Sequence, residues 1–123
     1  MNKLPIIIDT DPGIDDFFCI ALGCVYHDKL DLRAVTTIGG NHRTAITTRN
    51  ALDIVSLFGR PEVPVARGSD SFLCEPFGRP ATKFHGENGI GNVTLPHRHP
   101  LHRMFLLRSI PHCSYIDHTL PLR

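Results

Sequence analysis

The chain has 123 residues, 41% hydrophobic and 20% charged, which suits one soluble globular domain with its own core and excludes a fibrous or wholly disordered protein. A formal net charge of +1 leaves no concentrated basic surface, so neither nucleic acid nor an anionic membrane is expected as a partner. The four cysteines, Cys19, Cys24, Cys74 and Cys113, show no C-x-x-C pairing and no zinc-type spacing, and are expected as buried thiols in a reducing compartment.

The first predicted element is a buried strand through Ile6-Ile7-Ile8, which runs into Asp9-Thr10-Asp11-Pro12-Gly13-Ile14-Asp15-Asp16. The β-branched run argues for the strand and Pro12-Gly13 for a tight turn after it. The acidic cluster therefore sits at a strand's carboxyl end, where open α/β sheets bind ligands. Four carboxylates so close together repel one another, and a divalent cation with oxygen ligands is the simplest relief. Too few apolar residues precede the cluster for a signal peptide, and no stretch reaches membrane-spanning length, so a cytoplasmic location is expected.

After the turn, Ile14, Phe17, Phe18, Ala21, Leu22 and Val25 recur at three- and four-residue intervals, predicting a helix over about 14–26 with these residues on its inward face. Asp15 and Asp16 fall in its first turn, where the helix dipole favours negative charge. Residues 30–38 read as a second strand closed by Gly39-Gly40-Asn41, completing a right-handed parallel βαβ unit. A second helix is predicted over 44–58, with Ala51, Ile54, Val55 and Phe58 inward and Gly59 as its stop. Val63-Pro64-Val65 reads as a short third strand. The fold class is α/β, a Rossmann-like, mainly parallel sheet with flanking helices.

Residues 67–80 form a loop rich in Gly, Ser and Pro, followed by His85-Gly86-Glu87-Asn88-Gly89-Ile90-Gly91. Three glycines in seven residues predict a mobile or tightly turned segment of the kind that closes over active sites. Beyond Pro96 the style changes. Five of the eight histidines fall there, with four arginines and one aspartate, so 97–123 carries +3 and the preceding part −2. The only apolar run is Met104-Phe105-Leu106-Leu107, and no period organises the rest, so the tail reads as a disordered or out-of-frame extension of a domain formed by 1–96. A metal site at His97, His99 and His102 is the weaker alternative, because no second ligand group stands at helical or finger spacing.

The stretch from Asp9 to Asp16 resembles the N-terminal signature of the inosine-uridine-preferring nucleoside hydrolases. Thr36-Thr37-Ile38-Gly39-Gly40-Asn41 is similar to the family's second motif, and His85-Gly86-Glu87-Asn88-Gly89-Ile90-Gly91 to its third. The resemblance implies cleavage of the N-glycosidic bond of a purine or pyrimidine ribonucleoside by a water molecule activated with calcium. It implies that Asp11 and Asp16 ligate the ion, that Asp11 also takes a proton from the water, and that Asp15 holds ribose hydroxyls. Asn41 would order the sugar or the water, His85 would stand beside the ligand, and Asp9 would orient the others from behind. Family members are commonly oligomeric, and a sheet lacking its later strands exposes an edge that favours association. The family's later motifs are absent after Pro96, which implies a truncated nucleoside hydrolase fold, weakly active or inactive, or a fragment that binds nucleoside or calcium without turnover.

A strand ending in Asp9-Thr10-Asp11 also resembles the nucleophile motif of haloacid-dehalogenase-like phosphatases, with Asp9 as phosphoryl acceptor and magnesium as cofactor. That pattern expects Thr or Val where Gly13 stands, and it has no role for Asp15 and Asp16.

Overall fold

The computed structural model describes residues 2–69 and 78–96, and the backbone of 104–106. Strand β1 (Leu4–Thr10), helix α1 (Ile14–Val25), strand β2 (Leu30–Thr37), helix α2 (Thr44–Leu57) and strand β3 (Val65–Arg67) alternate along the chain, followed by a one-turn helix α3 (Thr82–His85) and strand β4 (Met104–Leu106). The four strands form one parallel sheet in the order β1-β2-β3-β4. With parallel neighbours in sequence order, right-handed crossovers place α1 and α2 on the same face. The two helices accordingly pack on each other as well as on β2.

Which side chains enter the core is set by an irregularity between β1 and β2. Ile6 pairs with Leu32 but Ile7 with Ala34, so Arg33 is an extra residue in the register. The bulge lets Leu32 and Val35, three residues apart, both reach the core opposite Ile6 and Ile8. Without it, strict alternation would turn one of them outward. Ile7 is left on the face without helices and is 65% exposed.

Helix α1 is oriented differently from the periodicity reading. Ile20, Ala21 and Cys24 are buried and Phe17 packs against the core, whereas Ile14, Phe18, Leu22 and Val25 are exposed. The helix is apolar on nearly every side after Asp16, so hydrophobic spacing does not choose its face. Gly23 marks the face that meets the sheet: a Cβ there would lie 3.0 Å from Ile8 Cδ1 and 3.4 Å from Leu32 Cδ2. Cys19 is exposed, contrary to expectation, and Cys24 is buried; Cys74 and Cys113 lie outside the described residues.

Helix α2 buries Ala51, Ile54 and Val55 as predicted, with Phe58 packed at the margin. It also buries Thr44, Thr47, Thr48, Asn50 and Asp53. The third strand lies two residues later than the sequence pattern placed it, and Pro64, at its entry, accepts a hydrogen bond from Val35 N–H at 3.0 Å. No element was expected beyond Pro96, yet Met104–Leu106 pairs in parallel with β3. The rest of the tail, including His97, His99 and His102, lies outside the described residues. No helix among the described residues is long and apolar enough to cross a membrane.

Burial pushes the pKa of the Cys24 thiol up to about 11 from an ordinary 9.0, with the Arg60 charge opposing and Glu62 adding to the shift. The unfolded chain thus ionises this thiol first, and stability present below pH 9 is lost as pH rises towards 11, by on the order of 2 kcal/mol. Denaturant unfolding at pH 8 and pH 10.5 should show this loss in the parent chain and a smaller one in Cys24→Ala.

Candidate active site

The carboxyl ends of β1 and β2 lie side by side, with Thr10 opposite Thr37, and Ile38 N–H extends the pairing to Thr10 O at 3.1 Å. This register carries Asp11, just past β1, against the Gly39-Gly40-Asn41 turn, just past β2. Asn41 N–H donates to Asp11 Oδ2 at 2.6 Å, and Asn41 Nδ2 donates to Asp11 O at 3.1 Å and to Asp16 Oδ2 at 3.3 Å. One residue therefore holds both predicted metal-ligand carboxylates. Gly40 makes the approach possible, because a Cβ there would collide with the Asp11 carboxylate.

Asp16 is held from two further sides. The Thr10 hydroxyl donates to Oδ1, and Gly13 N–H donates to Oδ2 at 3.2 Å. The second contact lets Asp16, in the third helical position, fold back onto the start of α1 as half of a capping box. Gly13 supplies no capping side chain of its own, and His85 takes that place: its Nδ1 accepts Ile14 N–H at 3.1 Å. A neutral ring bonded this way carries its proton on Nε2.

The glycine-rich segment around His85 is tightly turned. His85 ends α3, which precedes Gly86 at φ 74°. Gly91 N–H returns to His85 O at 2.7 Å. Asn88 gathers the loop, its Oδ1 accepting Ile90 N–H at 3.0 Å and Asn92 N–H at 2.8 Å while its Nδ2 donates to Val93 O at 2.8 Å. Ala81 N–H donates to Asn41 O at 2.8 Å, so the segment is tied to the second strand's turn as well as to α1.

The structure thus brings together Asp11, Asp16, Asn41 and, across Gly13, His85. Asp15 stands beside them on the first turn of α1, exposed and without a hydrogen bond among the described residues. Asp9 is not joined to them. It alternates with buried Thr10, points to the opposite side of the strand, and accepts Thr36 Oγ1 at 2.5 Å from the neighbouring strand. Two contributors were missed from sequence: Thr10, read only as structural, and Asn50, 4% exposed, whose Nδ2 donates to Pro12 O and Asn88 O. Nothing in local sequence marks them, since their partners are six and 38 residues away.

The chain matches the inosine-uridine preferring nucleoside hydrolases over residues 6–117. It belongs to that family. It is 45% identical over 91 residues to uridine nucleosidase 1 of Arabidopsis thaliana, an alignment covering 74% of this chain and 27% of the relative. It is 46% identical over 88 residues to a non-specific ribonucleoside hydrolase of Klebsiella pneumoniae, covering 72% and 28%. A solved plant nucleoside hydrolase superposes with a TM-score of 0.69 at 40% identity, covering 84% of this chain and 33% of that one. This nucleoside hydrolase chain therefore spans about three-tenths of the length of the relatives it matches. The phosphatase reading, which needs Asp9 as nucleophile, has no place in the family.

A Cβ on Gly13 would lie 2.7 Å from both Asn41 Nδ2 and His85 Nδ1. Gly13→Ala should therefore disturb both contacts and cost about 1–3 kcal/mol, as overpacking does. Urea unfolding should show that loss, whereas Gly78→Ala, with nothing among the described residues within 4 Å of the added carbon, should leave the midpoint unchanged.

Proposed function

We propose that this chain carries the ribose-holding and cation-holding half of a nucleoside hydrolase centre, acting on purine or pyrimidine ribonucleosides as small molecules in the cytoplasm. The observation that carries the reading is Asn41 bonded to Asp11 and Asp16 at once, in a chain whose family is defined by ribonucleoside hydrolysis.

The donor set suits a hard cation. It is all oxygen, and Asp11 Oδ1 accepts no hydrogen bond among the described residues while Oδ2 is fixed by Asn41. Asp11 and Asp16 would hold calcium, but no group of three or more His, Cys, Asp or Glu side chains converges among the described residues. Calcium takes 6–8 oxygens, so the described carboxylates make only part of such a site. Bound there, the ion would supply Lewis acidity that eases ionisation of water and an anchor for sugar hydroxyls.

Hydrolysis of the N-glycosidic bond needs a water aimed at the anomeric carbon while the base departs with the bonding electron pair. Asp11, oriented through Oδ2, offers Oδ1 to take the proton that water loses. Asp15, with no hydrogen bond among the described residues, is free to accept two ribose hydroxyls, which fixes the sugar in rotation. Asn41 holds the two working carboxylates apart and in place. His85, whose Nδ1 is occupied, presents Nε2–H as a donor to the ligand. Protonation of the leaving base is assigned to no described side chain.

Calorimetry on the full chain tests the reading. Calcium should bind weakly, with Kd in the 10⁻⁴–10⁻³ M range of loosely built oxygen sites, and ribose or inosine should bind only when calcium is present. Chelation and Asp16→Ala should each abolish ribose binding, and Asp15→Asn should weaken it at least tenfold without altering calcium binding. Absence of calcium binding, or ribose binding indifferent to chelation, would overturn the proposal. Release of ribose from inosine or uridine should be slow or undetectable, and rapid calcium-dependent release would show that the centre is complete.

A further inference from the structure

Helix α2 holds the segments that bear the carboxylates. Thr47 Oγ1 donates to Ile38 O at 2.8 Å, fixing the end of β2 just before the Asn41 turn. One turn further along, Asn50 is buried and uses a single amide nitrogen twice: Nδ2 donates to Pro12 O at 3.2 Å and to Asn88 O at 3.0 Å. Pro12 lies between Asp11 and the Asp15-Asp16 pair, and Asn88 is the residue around which the His85 loop is folded. The two segments are 76 residues apart in sequence. This amide tethers the two together, as the His85 to Ile14 contact also does.

The chemistry at this position demands an amide. Two carbonyl oxygens need two N–H donors in a fixed fork, which the Asn side chain supplies from one planar group. Aspartate would set carboxylate oxygens against both carbonyls, serine has a single hydrogen to give, and alanine leaves two buried acceptors unpaired. The loop side is built to match. Gly89, at φ 80°, approaches so closely that a Cβ would stand 3.0 Å from Asn50 Nδ2 and 3.6 Å from Pro12 O.

We propose that Asn50 is a positioning residue for the ribose site: it holds the loop that carries His85 in register with the acidic turn, so that His85 Nε2 and Asp15 face the same ligand. The ligand part of this proposal rests on the function proposed above, whereas the positioning part concerns the protein alone.

The two parts are tested separately on the full chain. Amide hydrogen exchange reads the docking of the loop through Ile14 N–H, which is closed by His85 Nδ1, and the integrity of the core through Val35 N–H, which is closed by Pro64 O. Asn50→Asp should speed exchange at Ile14 at least tenfold and leave Val35 within twofold. The ¹⁵N shifts of the His85 ring should move from a single Nε2–H tautomer to a mixture. Gly89→Ala, which displaces the loop with Asn50 intact, should give the same two signatures, and it decides the matter if Asn50→Asp does not fold. Unchanged Ile14 exchange, or Ile14 and Val35 accelerated equally, would overturn the positioning role. Calorimetry with ribose and calcium then reads the ligand part: both variants should bind calcium as the parent does and ribose at least tenfold more weakly. Failure of the parent itself to bind ribose would sink the functional reading and leave the exchange result standing.

Discussion

Carboxylate crowding is the constraint on which the rest of this structure depends. Asp9, Asp11, Asp15 and Asp16 fall within eight residues, and left alone they would repel one another enough to loosen the turn that holds them. The fold deals with each separately. Asp9 turns to the other side of β1 and is bonded by Thr36. Asp11 and Asp16 are bonded by the amides and hydroxyl of Asn41, Gly13 and Thr10. Asp15 faces solvent at the favourable end of the α1 dipole. The site is thus a set of negative oxygens held by donors from three segments, with no hydrogen bond to Asp11 Oδ1 or Asp15 among the described residues.

Holding those donors in place requires the strand ends to be aligned to within a hydrogen bond. The bulge at Arg33 contributes, because it brings Ile6 and Ile8 into the core opposite Leu32 and Val35 while keeping Thr10 level with Thr37. Small residues contribute too: Gly40 and Gly13 stand where any side chain would strike the Asp11 carboxylate, Asn41 or His85. The polar residues buried along α2 belong to the same arrangement. The Thr37 hydroxyl meets that of Thr48 at 2.7 Å, Thr47 fixes Ile38, and Asn50 fixes two loops. A helix normally buries an apolar stripe; this one gives part of its inward face to hydrogen bonds because the segments it must hold are irregular backbone, whose carbonyls need partners once buried.

Much of the fold was legible in the sequence. The alternation of strands and helices, the parallel βαβ unit and the inward face of α2 follow from periodicity and turn residues, as does the placing of Asp11, Asp16 and Asn41 at one edge of the sheet. The facing of α1 was not legible, since an almost uniformly apolar helix fits the sheet in several rotations and close contact at Gly23 decides among them. The glycine-rich loop could be read as mobile or as tightly turned. The side-chain hydrogen bonds of Asn88, formed only when the loop is folded, select the second. Strand β4 was illegible because three residues have no period.

By itself, the sequence determined which chemistry is available: a hard-oxygen cluster at a strand end, two further motifs in the right order, and with them the family. These are properties of residue type and local spacing, which the chain carries before it folds. Only the tertiary structure decided which oxygens are spoken for and which are open. That depends on partners brought from 25 to 71 residues away: Asn41 donates to Asp16, and His85 accepts the first amide N–H of α1. The opening cluster of four acids thereby becomes two held carboxylates, one free one and one turned away, a distinction that no reading of their spacing along the chain contains.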